Sequence, residues 1–469
     1  MERKLHQFGM IGLGVMGRNL VLNIAEHGFS VIGYDKDKAM VARLNQEAGG
    51  KQIRGVDSLE EFLAFLKEPR NIMMLVPAGA PVDNVIRDLL PHLKQGDMII
   101  DGGNSHYKDT DLRARSLAEK GILYLGVGIS GGEKGARSGP SMMPGGTPEA
   151  YERVAEIFQA VAAKIGSEPC VTYLGPGSAG HYVKMVHNGI EYGIMQLIAE
   201  TYDLMKRGLG LNDEEIHEVF SLWNQAELEA YLVEISGAIF EELDEKTGAR
   251  LIDVILDEAK QKGTGMWTSQ DAMDLQVPVP TIDIAVAMRN LSAKKSERQK
   301  ANRLLGENIT QYSGERSGFV DHLRGALYAG FILVYAQGFN QLHVASGFYN
   351  YGLGLQGIAA IWRGGCIIRS ALLEEIRSTF KKTPGLSSLL LDPDLGKEVL
   401  KRRKDLETII KSAVEMKIPV PGFSVSLAYL DGFRSAWLPA NLIQAQRDYF
   451  GSHTYERIDE KGVFHTRWS

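Results

Sequence analysis

The period of the hydrophobic pattern changes once along this chain, near Gly175-Pro176-Gly177, and that change limits what each part can fold into. Before it, short apolar runs at 8–12, 31–34, 71–76, 98–101 and 123–126 read as strands. Helix-like stretches such as 17–27 and 82–92 lie between them. Strand–helix alternation of this kind predicts a doubly wound parallel sheet covered by helices. From Ser178 onward the apolar residues recur at helical spacing for about 250 residues, and strand signals nearly vanish. The expectation is therefore an α/β domain over 1–178 and a large all-α domain over 179–439. A tail over 440–469 has a different character: a short helix at 440–449, then Phe450-Gly451-Ser452-His453-Thr454-Tyr455 and a polar stretch. Its aromatic and basic content points to an ordered docking role.

The helical part also contains an internal repeat. Residues 182–202 can be laid on 319–339, so that Val183 meets Val320, Val186 meets Leu323, Gly193 meets Gly330 and Ala199 meets Ala336. Further on, Leu222-Trp223 is echoed by Ile361-Trp362. The pattern reads as a duplicated helical unit, against the alternative of chance matches between amphipathic helices.

Bulk properties narrow the partners. A chain of 469 residues suits two or three domains. A net charge of -6 leaves no global basic footprint, so nucleic acid is not an expected partner. No apolar run approaches the roughly 18 residues that span a bilayer, so no membrane is expected either. Cys170 and Cys366 read as reduced thiols, and no Cys/His spacing indicates zinc or another metal. Met1-Glu2-Arg3-Lys4-Leu5-His6 carries no signal-peptide pattern, which points to the cytoplasm. Glu214-Glu215 and Glu241-Glu242 read as solvated helix faces, and Ser141-Met142-Met143-Pro144 as packing.

Gly12-Leu13-Gly14-Val15-Met16-Gly17 stands between the first strand and the first helix. Gly12 suits a tight turn, Gly14 lets backbone approach a pyrophosphate, and Gly17 lets helix pack on strand. The helix N-terminus then offers free N–H groups and a positive dipole end. Asp35, at the end of the second strand in Asp35-Lys36-Asp37, completes a Rossmann-like dinucleotide site. A carboxylate there accepts the ribose hydroxyls and repels a 2′-phosphate, which favours NAD over NADP. Lys36 could pair with that phosphate, and Asp37 adds charge against it.

On the first long helix, Lys184, Asn188 and Glu191 fall at i, i+4 and i+7 and share one face, flanked by His187 and Tyr192. A solvated Lys/Glu pair is the plain explanation. Val183, Val186, Ile190 and Ile194 lie close to the stripe and argue against full exposure, and charges inside a protein are costly unless they are used.

Five segments together resemble the decarboxylating 6-phosphogluconate dehydrogenases of the longer-chain type. They are Gly102-Gly103-Asn104-Ser105, Ser130-Gly131-Gly132-Glu133-Lys134-Gly135-Ala136, and Lys184-Met185-Val186-His187-Asn188-Gly189-Ile190-Glu191-Tyr192. The others are Gln261-Lys262-Gly263-Thr264-Gly265 and Arg447-Asp448-Tyr449-Phe450-Gly451-Ser452-His453. The resemblance runs essentially end to end. It implies substrate contacts from Asn104, Ser130, Gly131, Gly132, His187, Asn188, Tyr192, Lys262, Arg289, Arg447 and His453. The last two would reach the partner subunit's site, which implies a homodimer. NADP is the family default, with an Asn-Arg-Thr run where this chain has Asp35-Lys36-Asp37 and commonly a Lys where it has Pro77, in Val76-Pro77-Ala78. Both departures remove features suited to a 2′-phosphate. Asn104 and the 76–78 turn would also line the dinucleotide site.

The resemblance implies oxidation of a secondary alcohol followed by decarboxylation. Lys184 would act as base and then acid, Asn188 would help stabilise the enolate oxygen, and Glu191 would protonate carbon. Lys262, Arg289 and Arg447 would suit the phosphate, and Ser130-Gly131-Gly132 the carboxylate. Another β-hydroxyacid dehydrogenase, such as one acting on 3-hydroxyisobutyrate, would share much of this pattern. It would need neither Glu191 as an acid nor the Arg447/His453 tail. A catalytically silent dinucleotide sensor would have no use for Lys184 and Glu191.

Overall fold

The computed structural model describes residues 5–468. Residues 1–4 and 469 lie outside the described residues, and with them most of the reading of the first six residues and the last residue of the tail. Seven strands form one sheet in the order β3-β2-β1-β4-β5-β6-β7. They are β1 Phe8–Ile11, β2 Val31–Tyr34, β3 Ile53–Val56, β4 Asn71–Met74, β5 Met98–Asp101, β6 Leu123–Ser130 and β7 Ser141–Gly146. β1 to β6 run parallel, and helices cover both faces as the alternation requires. One face buries Phe8, Met10, Leu20, Ile24 and Val31, and the other buries Ile32, Phe62, Ile72 and Leu89.

Two strands of this sheet escaped the sequence reading, as did the short antiparallel pair Lys164–Ile165 and Glu168–Pro169, and one strand is longer than expected. β3 is the outer strand, and its Ile53, Arg54 and Gly55 are only half-buried, so it carries no clear apolar run. The Met-rich segment is β7, which pairs antiparallel with β6 from Leu125↔Gly146 to Ser130↔Ser141. The sheet is therefore mixed rather than purely parallel. That pairing extends β6 past Gly126 to Ser130, because β7 satisfies backbone groups that the short parallel strands do not reach. Both acidic runs are exposed, as the solvated-face reading has it, but only the first lies on a helix. Glu215 completes a capping box with Asn212, Glu214 pairs with Arg250, and Glu241-Glu242 follow the helix Tyr231–Ile239 rather than lying on it.

Beyond Ser178 the chain is helical, built on the long helices Ala179–Asp203 and Arg316–Phe348. These carry the two halves of the sequence repeat, and their matched glycines face each other's helix. A Cβ on Gly193 would meet Val334 at 2.9 Å, and one on Gly330 would meet Leu197 at 2.7 Å. Shorter helices ending at Trp223 and Trp362 follow the two long ones. No helix among the described residues is long and apolar enough to cross a membrane. The tail folds around the buried carboxylate of Asp448, which accepts from Thr454 N, Thr466 N, His465 Nδ1 and Trp468 Nε1 at 2.9–3.0 Å. Leu442, Ile443, Tyr449 and Phe450 remain exposed on the helix Ala440–Gly451.

The start of Ala179–Asp203 lies directly on β6 and β7, backbone against backbone. A Cβ on Gly145 would sit 2.2 Å from Gly180 N, and one on Gly180 would sit 2.4 Å from Gly126 O. A Cβ on Gly128 would be 2.3 Å from the Cβ of Lys184. Overpacking at such a seam costs about 1–3 kcal/mol. Gly145→Ala should lower the thermal unfolding midpoint measurably, whereas Gly14→Ala, with nothing within 4 Å of its Cβ, should not. Equal midpoints for the two variants would contradict this packing.

Candidate active site

The seam brings Lys184 up against β6, and burial does the rest. Lys184 Nζ donates to Asn188 Oδ1 at 2.8 Å and lies 3.4 Å from His187 Nδ1. Asn188 Nδ2 donates to Thr264 Oγ1 at 2.9 Å, and His187 Nε2 meets Ser130 Oγ at 3.1 Å. Ser130 Oγ also accepts from Ile367 N at 3.3 Å. The i, i+3, i+4 spacing thus forms one hydrogen-bonded cluster, and Lys184 is 6% exposed rather than solvated. Glu191 is half-buried at the edge of the cluster, its Oε2 3.8 Å from His187 Nδ1.

Burial sets the protonation tendencies. It pulls the Lys184 amine below the ordinary lysine range, with Glu191 opposing. It pushes the Glu191 carboxyl up, with Lys184 and Arg289 opposing. His187 is driven well below the usual imidazole value by burial and then by Lys184, so it is neutral at physiological pH. Opposite shifts in neighbouring groups suit acid–base chemistry.

The surrounding residues fall into three groups. Ser130 is buried, and Gly131 and Gly132 begin the short helix Gly132–Ser138, whose first N–H groups lack intrahelical partners. Gly131 packs on Gly365, where a Cβ would meet the carbonyl oxygen at 2.5 Å. Tyr192 is buried under Arg289, whose guanidinium carbon lies 3.5 Å from the ring centroid. Arg289 also donates to Lys260 O at 3.1 Å, and Lys262 is exposed nearby in sequence. Asn104 is exposed on the loop after β5. Arg447 and His453 are not brought to this cluster within the chain. Arg447 hydrogen-bonds Gln444, and the His453 ring packs on Phe450 at 5.8 Å.

At the C-terminal end of β1 the strand order reverses, which is where dinucleotides bind in such sheets. Gly12 adopts φ +90° against Leu75 O, Gly17 packs on Gly12 O, and Gly14 faces open space. The helix Val15–Glu26 starts here, with Val15 exposed and Met16 half-buried. Asp35 accepts from Leu13 N at 2.7 Å and Asp37 N at 2.9 Å. Asp37 caps the helix Lys38–Glu47 through Ala39 N, and Lys36 Nζ pairs with Asp88 at 3.2 Å. A cavity of about 280 Å³ opens between Asp35, Lys36, Val76, Pro77, Val85 and Asp88. Ala78, beside it, is exposed. These residues fit a nicotinamide dinucleotide: an open glycine at the helix start and an acid beside the cavity. Among the described residues no group of three or more His, Cys, Asp or Glu could hold a metal ion.

Sequence reasoning missed several supports. Thr264 holds Asn188, yet only Lys262 was singled out from its segment. Asp101 accepts from Gly103 N, Ser105 Oγ and Tyr124 OH at 2.6–3.0 Å and so shapes the Asn104 loop. An acid ending an apolar strand was the signal available. Trp362, 5.6 Å from the His187 ring, showed in the sequence only as part of the repeat, and the Gly365–Ile367 turn, whose Ile367 N donates to Ser130, had no local signal.

Comparison with known proteins agrees over the whole chain. Residues 7–175 match the family model described as the NAD binding domain of 6-phosphogluconate dehydrogenase, and residues 180–468 match the C-terminal domain model of the same enzyme. A Bacillus subtilis 6-phosphogluconate dehydrogenase, named as NADP(+)-dependent and decarboxylating, is 52% identical over 98% of this chain and 99% of its own length. A decarboxylating relative from Candida albicans is 51% identical over 96% of this chain and 87% of its own. The solved Plasmodium falciparum 6-phosphogluconate dehydrogenase, studied apo, with NADP+ and with 6-phosphogluconate, superposes with a TM-score of 0.95. It is 43% identical and covers 98% of this chain and 100% of its own. The chain belongs to the 6-phosphogluconate dehydrogenase family.

Proposed function

We propose that this chain oxidises and decarboxylates 6-phospho-D-gluconate to D-ribulose 5-phosphate and CO2, with reduction of a nicotinamide dinucleotide. The observation that carries the reading is the buried Lys184 amine, hydrogen-bonded to Asn188 and held below the ordinary lysine range by burial, on the same helix as the Glu191 carboxyl that burial pushes up. Neutral Lys184 takes the proton of the C3 hydroxyl. A nicotinamide dinucleotide held at the Gly12–Gly17 turn and Asp35 would supply the acceptor for the hydride that leaves C3. The resulting 3-keto acid has its carboxylate β to the carbonyl, so CO2 leaves once the developing enolate oxygen is stabilised. Protonated Lys184 donates to that oxygen, held in place by Asn188, whose amide is fixed in turn by Thr264. Glu191, whose carboxyl burial pushes above the usual carboxylate range, delivers a proton to C1 of the enediol.

Substrate recognition follows from the same groups. Ser130, Gly131 and Gly132 offer a hydroxyl and N–H groups for the carboxylate. Asn104, His187 and Tyr192 line the sugar, and Lys262 and Arg289 take the phosphate. Arg447 and His453 serve the site of a second copy, so the working unit is a homodimer. The exposed apolar face of the tail helix supports this assembly. The functional parts are 1–178 for the dinucleotide, 179–439 for substrate and dimer contacts, and 440–469 for reaching the partner. Two buried free thiols, Cys170 and Cys366, suit a reducing cytoplasm.

For the cofactor, NAD is the favoured partner. Lys36 is the single cation among the described residues lining the cavity beside Asp35, and Asp88 offsets it. Pro77 brings no charge. Side-by-side kcat/KM values should therefore favour NAD, and a strong NADP preference would overturn this assignment.

Lys184→Met should reduce oxidation by about 10³-fold, the scale of a lost general base. In the wild type, kcat/KM should fall as pH drops through the lowered Lys184 value, because protonation removes the base. Glu191→Gln should leave hydride transfer partly intact while slowing proton transfer to C1, as read by single-turnover absorbance against solvent tritium incorporation. Equal loss of both steps contradicts the division of roles. Turnover of 6-phosphogluconate without CO2 would point to a 3-hydroxyisobutyrate-type dehydrogenase, and no turnover to a silent sensor. Mixing Arg447→Ala with Lys184→Met subunits should restore part of the activity in heterodimers; no recovery would rule out a tail acting on the partner's site.

A further inference from the structure

Between the sheet domain and the helical domain, three tyrosine hydroxyls converge on one buried carboxylate. Tyr107 OH donates to Asp271 Oδ1 at 2.5 Å and Tyr349 OH donates to the same oxygen at 2.6 Å. Tyr182 OH donates to Oδ2. Asp271 is 3% exposed, so these donors are what makes its burial tolerable. Burial and the Asp271 carboxylate both push the Tyr107 and Tyr349 hydroxyls upward, so they remain protonated donors.

The four residues come from different places, and only one comes from the sheet domain. Tyr107 opens the helix Tyr107–Ala118, immediately after the Gly102–His106 loop that carries Asn104. Asp271 lies on the helix Thr264–Asp274, which begins with the residue that holds Asn188. Thr268 of that helix donates to Met185 O at 2.8 Å, one residue beyond Lys184. Tyr182 precedes Lys184 by two residues on its own helix, and Tyr349 caps Arg316–Phe348. A continuous path therefore runs from the Asn104 loop through Tyr107 and Asp271 to Thr264, Asn188 and Lys184. His106, edge-on to Trp267 at 4.8 Å, runs beside it.

An apolar plug would close this interface without fixing a direction. Hydrogen bonds to a buried carboxylate cost desolvation but impose distance and angle. Hydride transfer needs that control, because its two partners sit on opposite domains and an error of about 1 Å can cost on the order of 10²-fold in rate. We propose that Tyr107 and Asp271 form a positioning latch that registers the Asn104 loop of the dinucleotide domain against the Lys184–Asn188–Thr264 cluster. Neither residue contacts the reacting atoms; both act through the groups they hold. The inference rests on the proposed reaction and adds the residues that align it.

The test compares Tyr107→Phe, which cuts the sheet-domain link, with Tyr349→Phe, which removes a donor inside the helical domain. Wild-type CO2 release from 6-phosphogluconate is measured first, so failure of the reaction assignment is seen separately. With substrate deuterated at C3, Tyr107→Phe should lower kcat by about 10-fold or more and raise the isotope effect on kcat. Its dissociation constant for the dinucleotide, read by fluorescence titration, should stay within about twofold, and Tyr349→Phe should keep most of its turnover. Asp271→Asn, which keeps one acceptor oxygen, should retain more turnover than Asp271→Ala. The latch is overturned if Tyr107→Phe keeps wild-type kcat and isotope effect, if Tyr349→Phe loses as much, or if weaker dinucleotide binding accounts for the loss.

Discussion

The contact on which the site depends is the backbone seam between the helix Ala179–Asp203 and the β6–β7 pair. Gly128, Gly145 and Gly180 let the helix approach so closely that added Cβ atoms would overlap backbone or the Lys184 stem, and one on Gly126 would press on the His181 ring. Lys184 emerges from that seam with β6 behind it and the large helical core below. Its amine is therefore buried, with Asn188 and His187 as its polar neighbours. The lowered basicity of Lys184, the neutral His187 and the raised Glu191 are consequences of this one packing arrangement.

The same seam joins two chemically different halves. The sheet supplies a crevice at the reversal of strand order, with Gly14 open and Asp35 oriented by Leu13 N–H and Asp37 N–H. The helices supply buried polar groups held by other helices: Asn188 by Thr264, and His187 by Ser130 across the boundary. A reaction that moves a hydride from one half to a carrier on the other requires such rigid registration. The tyrosines around Asp271 add a second link between the halves, just after the Asn104 loop in sequence.

Much of the fold could be read from periodicity, because the apolar spacing of strands and helices differs so plainly on either side of Gly175-Pro176-Gly177. Where it failed, the reason was local. β3 is an outer strand with half-buried residues, and its pattern is indistinct. β7 was legible as Met-rich packing, which the buried Met142 and Met143 bear out, but its strand character comes from pairing with β6, a partner that the segment itself does not specify. Asp37 was legible only as added charge, and its second task, capping the next helix, depends on where that helix starts.

For the site, residue spacing on one helix was enough to single out Lys184, His187, Asn188 and Glu191, because helical geometry fixes which side chains share a face. The Gly-rich turn and Asp35 were legible for a similar reason, since short-range backbone geometry dictates them. Spacing alone left a solvated ion pair open; the tertiary structure decided that Lys184 is buried, and so decided its chemistry. It also supplied Thr264, Asp101, Trp362 and the Gly365–Ile367 turn, which lie far away in sequence. Desolvation and hydrogen-bond direction depend on neighbours brought in by folding, and no local pattern encodes them.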